Sequence, residues 1–208
     1  MHKLANRFIT FEGIEGAGKS TQIQLLGEYL KQQHQQVIIT REPGGTPIAD
    51  QIRELLLNRQ EEALTDSSEL LLMFAARSQH LSQVILPALK QGAWVLCDRF
   101  TDSTLAYQGF GRGMDQTMIS QLKEWVQGDL HPGMTFLFDM PVKLALDRVQ
   151  QRGKKDRFEE EDLQFHTRVK EGFLNLYQRE PERIVLIDAL QSIEAIQQIL
   201  IAHVATLG

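Results

Sequence analysis

The chain is 208 residues long, 42% hydrophobic and 24% charged, with a formal net charge of −5. That length supports one buried core and is short for two. The acidic balance argues against a nucleic-acid polymer as the standing partner, and one cysteine, Cys97, excludes an intrachain disulfide framework and points to a reducing, cytoplasmic setting.

In chain order, the N-terminal MHKLANRFITFE carries basic residues but neither a sustained apolar core nor a small-residue cleavage site. No later run approaches the roughly 18 apolar residues of a membrane span, so no membrane partner is expected. RFITFE (7–12) reads as the first strand, followed by a glycine-rich loop and a helix with Ile23, Leu26, Tyr29 and Leu30 on one face. VIITRE (37–42) is the second strand and runs into REPGGT, where a proline before two glycines predicts a rigid bend that could lie against a ligand or simply turn the chain. A long helical segment from about 66 to 90 sets Leu70, Met73, Phe74, Arg77 and Leu81 on one stripe, an odd place for an arginine. WVLCDRF (94–100), TFLFDM (135–140) and IVLIDA (184–189) complete five strands, mostly unbroken apolar. RVQQRGKKDRFEEED (148–162) is highly charged and interrupted by Gly153, a composition that suits a mobile lid better than a core. Strands alternating with helices predict an α/β fold, a five-stranded parallel sheet buried on both faces, with ligands beyond the carboxyl ends of the strands.

Gly13, Gly18, Lys19 and Ser20 satisfy G-x-x-x-x-G-K-[ST] between a strand and an amphipathic helix, the context that a phosphate-binding loop requires. Backbone N–H groups freed by glycine would cradle phosphate oxygens, Lys19 would reach the β- and γ-phosphates, and Ser20 would offer a hydroxyl to Mg²⁺. The alternative is a plain glycine-rich turn with a surface lysine. A base-reading N-K-x-D tetrapeptide is absent, which weighs against a GTPase switch. Asp98 ends an apolar strand where a second acid near the metal is useful. Arg41, Arg53 and Arg99 could converge above the sheet, and guanidinium forks match phosphate oxygens, so a second phosphorylated substrate is implied; each alone could equally be a solvated surface residue.

FEGIEGAGKST, REPGGTP, LLLMFAAR, DRFTDSTLAYQGFGRG and RGKKDRFEEED together resemble the bacterial thymidylate kinases nearly end to end, and DRFTDSTLAYQG is the specific stretch, since the phosphate loop alone would name only a superfamily. The resemblance implies a P-loop three-layer fold, a single domain with a lid at about 148–162, and transfer of the γ-phosphoryl group of MgATP to dTMP in dTTP synthesis. It implies an ATP site of Gly13, Ile14, Glu15, Gly16, Ala17, Gly18, Lys19, Ser20 and Thr21, joined by Arg148. For dTMP it implies Arg53 and Arg99 on the phosphate, and Glu15 facing the sugar and its 3′-hydroxyl. It further implies Ser103 beside them, Tyr107 where a ribose 2′-hydroxyl would sit, Phe74 under the base, and Arg77 and Gln108 on the base edge. Phe74 could otherwise be plain core, and Tyr107 plain core or surface. Lys19, Arg99, Arg152, Asp98 and Glu15 are the implied catalytic set, with Ser20 and Asp98 toward Mg²⁺. Because Gly16 stands where some relatives carry a basic residue, Arg152 in the lid is the implied catalytic arginine. Arg148 and Arg157 are weaker candidates, and all three could instead belong to a solvated basic face. Glu12 either contacts metal-bound water or braces the loop. A homodimer is implied by the resemblance alone.

Overall fold

The computed structural model describes residues 6–59, 61–151, 153 and 156–207. Five strands form one parallel sheet: β1 (Phe8–Glu12), β2 (Val37–Arg41), β3 (Trp94–Asp98), β4 (Met134–Asp139) and β5 (Ile184–Asp188), in the order β2-β3-β1-β4-β5. β1, β3 and β4 are apolar on both faces, as fully enclosed parallel strands must be, whereas the edge strands β2 and β5 are half-exposed. Side chains alternate between two cores: Ile9, Phe11 and Leu96 point one way, and Phe8, Val95 and Cys97 the other.

Helices flank the sheet. α1 (Lys19–Gln32) packs on β1, β2 and β3 through Ile23, Leu26 and Leu30. α2 (Pro47–Leu57) starts where the Thr46 hydroxyl accepts from the Ala49 N–H at 3.1 Å, with Pro47 at the first helical position, where its missing donor costs nothing. α3 (Asp66–His80) is capped likewise by Thr65 and packs against α2. The predicted single helix over 66–90 is interrupted: a π-helical turn at Leu81–Ile85 separates α3 from α4 (Leu86–Lys90). Pro87 supplies the reason, since it lacks an N–H and crowds the carbonyl four residues back. After β3 a short α5 (Thr101–Thr104) widens into a second π-helical stretch, Leu105–Gly111. α6 (Gln116–Gln127), α7 (Val142–Gln151), α8 (Leu163–Arg179) and α9 (Ile193–Val204) follow, with α8 packed on β4 and β5 and α9 beside α1. Residues 148–151 of the expected lid continue α7.

Parallel pairing brings the carboxyl ends into one row, with Arg41 opposite Asp98, Phe11 opposite Asp98 and Glu12 opposite Leu137. β1 sits centrally, so the loop after it lies beside the strand end of β3 where connections diverge to the two sides.

Candidate active site

The loop from Gly13 to Gly18 is shaped by its surroundings as much as by its glycines. Gly13 (φ +128°) and Gly16 (φ +77°) lie in left-handed backbone regions, and a Cβ at either would come within 2.4 Å of a carbonyl oxygen, that of Phe138 and Ala145 respectively. A side chain at Gly16 therefore collides with α7. Gly18 precedes α1, aiming the helix N-terminus into the loop. The buried Lys19 ammonium donates to the carbonyl oxygens of Gly13 and Ile14 at 3.0 Å each. Burial, then the neighbouring Arg99, pushes its pKa down to about 8. Glu15, Gly16, Gly18, Lys19, Ser20 and Thr21 line a cleft that Arg148 closes from α7, its Nη1 donating to the Gly16 carbonyl at 3.3 Å. Gly13, Ile14 and Ala17 lie behind this lining, Ile14 and Ala17 in the core.

Ser20 donates to Asp98 Oδ2 at 3.3 Å, while buried Asp98 Oδ1 accepts from nothing among the described residues. A hydroxyl beside a carboxylate with an unused oxygen is hard-oxygen chemistry that fits a divalent cation keeping most of its waters. Among the described residues no cluster of three acids, histidines or cysteines stands ready to cage a metal.

On the other side of the loop Arg99 occupies the left-handed region (φ +68°), uncommon for a residue other than glycine, and its N–H is held by Phe11 O at 3.0 Å. The guanidinium reaches Glu15 at 2.6 Å, Ser103 at 2.9 Å and the Tyr107 hydroxyl at 3.2 Å. Tyr107 donates to the other Glu15 oxygen at 2.5 Å, and its ring is clamped edge-on by Phe158, Phe165 and Phe173. Burial alone would raise the Glu15 pKa; Arg99, then Lys19, outweighs it and brings it to about 2, so Glu15 is a permanent carboxylate. Glu12 is a brace: it accepts from the Phe100 N–H at 2.7 Å and the Ser103 hydroxyl at 2.5 Å, and burial, reinforced by Asp102, pushes its pKa up.

A second cleft opens beyond Arg99. Arg41, Arg53 and Arg99 all line it, as the strand-end reasoning predicted, and Arg53 is steadied by the Pro43 carbonyl at 2.8 Å. Burial, then the neighbouring Arg41, lowers the Arg53 pKa. Deeper in, Arg77 is 2% exposed; its Nε donates to Glu42 at 2.7 Å and Nη2 to Thr104 at 2.9 Å, while buried Nη1 has no partner among the described residues. Glu42 also meets His80 Nδ1 at 3.0 Å. Gln108 lines the cleft beside Arg77. Phe74 does not line it: its ring packs with Leu70 and Ile119, with the Arg77 guanidinium 4.8 Å above it, and Met73 faces the opening.

From the charged segment, Asp156 and Phe158 line this cleft. Phe158 is buried, Arg157 Nη2 reaches Glu69 at 2.6 Å, and Arg112 reaches Glu161 at 2.6 Å. Asp156 lines both clefts. Arg152 lies outside the described residues.

A sequence model of the family described as thymidylate kinase matches residues 11–200. The chain belongs to the thymidylate kinase family. It is 53% identical over 191 residues to the thymidylate kinase of Pseudomonas putida (strain W619), covering 92% of each chain. To that of Pseudomonas fluorescens (strain SBW25) it is 52% identical over 200 residues, covering 96% of this chain and 95% of the relative. The crystal structure of thymidylate kinase from Ehrlichia chaffeensis superposes with a TM-score of 0.78 at 38% identity, covering 95% of this chain and 97% of that one. Thymidylate kinase membership makes this a P-loop fold. Two acids that hold cations around the site, Glu42 on Arg77 and Glu69 on Arg112 and Arg157, are not evident from the sequence. Glu42 was visible only as part of a turn, and Glu69 carried a faint signal, standing eight residues before Arg77 on the same stripe.

Proposed function

We propose that the chain, an ATP-dependent kinase of dTMP by its family, passes the γ-phosphoryl group directly and in line from MgATP to the dTMP phosphate, without a covalent enzyme intermediate. The observation that carries this reading is the wall of Glu15, Arg53, Asp98, Arg99 and Asp156 common to both clefts, which sets two phosphate-binding sites back to back. Lys19 and the loop N–H groups hold the donor phosphates. Arg53 and Arg99 grip the acceptor phosphate, and Glu15 accepts from the sugar 3′-hydroxyl. Tyr107, fixed by three aromatic rings, fills the space a 2′-hydroxyl would need. Mg²⁺ bound at Ser20 and Asp98 would neutralise charge on the transferring group. The lid spans about 148–162 and delivers Arg152. Phe74, which the resemblance places under thymine, holds Arg77 from below in this structure.

Arg77 Nη1, buried and unpaired, suits a pyrimidine carbonyl. Arg77→Ala is expected to raise the KM for dTMP by about 10- to 100-fold, the worth of one charged hydrogen bond, while the KM for ATP stays put; equal rises for both nucleotides would remove Arg77 as a base reader. The reading as a whole is tested by ADP release with dTMP, dUMP, UMP, dCMP and thymidine as acceptors. dTMP should lead, and faster turnover with thymidine or dCMP would replace the proposed substrate. Exposed apolar side chains on neighbouring helices, Leu55 on α2, Leu71 on α3 and Trp125 on α6, the last 83% exposed, support a homodimer. Sedimentation at working concentration tests it. No described helix is long and apolar enough to cross a membrane, and the buried free thiol of Cys97 suits the cytoplasm.

A further inference from the structure

Glu69 is a carboxylate with no obvious reason to be buried on α3. It is 1% exposed, and its two oxygens are divided between two parts of the molecule. Oε1 accepts from the Gln108 side-chain amide nitrogen at 2.7 Å and, at the limit of hydrogen-bond length, from Arg112 Nε at 3.5 Å. Oε2 accepts from Arg157 at 2.6 Å and more distantly from Arg112 at 3.4 Å. An ionised carboxylate only accepts, so it dictates which end of the Gln108 amide turns toward it: the NH₂ group must face Glu69, because the carbonyl oxygen there would oppose another oxygen. The Gln108 carbonyl oxygen, to which nothing among the described residues donates, is thereby left for the cleft that Gln108 lines.

We infer that Glu69 is the positioning residue that sets base selection, by locking Gln108 with its acceptor toward the base edge, and that its other oxygen separately pins the segment from Asp156 onward through Arg157. The inference rests on the proposed role of Gln108 at the base edge. A locked acceptor requires a donor opposite it. Thymine and uracil carry N–H at ring position 3; cytosine has a bare lone pair there and would meet oxygen with nitrogen, an unpaired, repulsive contact in a buried site. Arg77 Nη1 adds a matching demand, since it can only donate and so favours a carbonyl over the cytosine amino group. The second Glu69 oxygen makes a separate tie. Arg157 also donates from Nε to the Leu56 carbonyl at 2.9 Å and from its backbone N–H to Leu57 O at 3.0 Å, so the segment that lines the cleft is pinned to the same carboxylate that orients the reader.

Glu69→Gln is the discriminating substitution, because an amide can pair with either end of Gln108 and so releases the lock at nearly constant volume. The ratio of kcat/KM for dTMP over dCMP is expected to fall by about tenfold or more, with the dCMP value itself rising. A purely structural role would depress both acceptors together, and an unchanged ratio would overturn the inference. Gln108→Leu is run in parallel. It should also reduce the ratio, and if it does not, the base-edge role of Gln108 fails instead, so the two failures are distinguishable. Should Glu69→Gln not fold, Glu69→Asp, too short to reach Gln108 and Arg157 together, serves the same comparison. Arg157→Gln leaves the bond to Gln108 in place; it should lower kcat and loosen the 156–162 amides in hydrogen exchange while the dTMP over dCMP ratio holds, and a collapse of that ratio would contradict the division of labour between the two oxygens.

Discussion

Lys19→Ala should abolish nearly all transfer, with kcat falling about 10³-fold or more, the scale for removing one preorganised charge from a transferring group. The fold should survive, because Lys19 is held in a site that works against its charge: burial and Arg99 depress its pKa to about 8, so the protein gains nothing in stability from the ammonium. A melting temperature equal to or above that of the parent, with activity lost, is the expected pair of results; near-normal activity would remove the phosphate-cradle assignment. The same depressed pKa gives a pH signature. Below about 8 the free enzyme keeps Lys19 charged; as pH rises through that value the charge is lost and ATP binds less well, so kcat/KM for ATP declines. Bound phosphates raise the pKa again, so kcat holds to higher pH. Lys19→Arg should erase the decline in whatever activity it retains, because a guanidinium does not titrate there.

Arg152→Ala is expected to lower kcat by about 10³-fold, the lower end of what a charge-stabilising arginine supplies, roughly 4 kcal/mol of barrier. The KM for dTMP should move little, since the interaction is made with charge that develops in the transition state. Among the described residues of this segment, Arg148 on α7 holds the Gly16 carbonyl and Asp156 lines both clefts. Gly16→Arg cannot be expected to compensate, because a Cβ at Gly16 already meets the Ala145 carbonyl oxygen at 2.4 Å. A pure KM effect in Arg152→Ala would assign it to binding rather than to catalysis.

What could be read from the sequence was whatever local chemistry forces. All five strands lie within a residue or two of the apolar runs that announced them, since enclosed parallel strands tolerate nothing else. The phosphate loop was legible for the same reason: positive-φ positions pressed against Phe138 and Ala145 admit only glycine. Arg41, Arg53 and Arg99 were found because strand ends and the helix after them are where ligands sit. Long-range pairings were not legible. Nothing near Glu42 in the chain names Arg77, 35 residues away, and Glu69 reaches Arg157 across 88. Nor did periodicity reveal the π-helical turns, which add a residue to a helix without changing its composition.

The wall that the two clefts have in common bears on how such an enzyme can be inhibited. A molecule spanning both would lose its translational freedom once while collecting contacts from donor and acceptor sites, the advantage of linking two ligands at matched length. It would also be hard to evade. On the proposed assignment of the two clefts to donor and acceptor, a substitution in Arg99, Glu15 or Asp98 that loosened one arm of such a compound would disturb the other substrate of the same reaction, because each of the three lines both clefts.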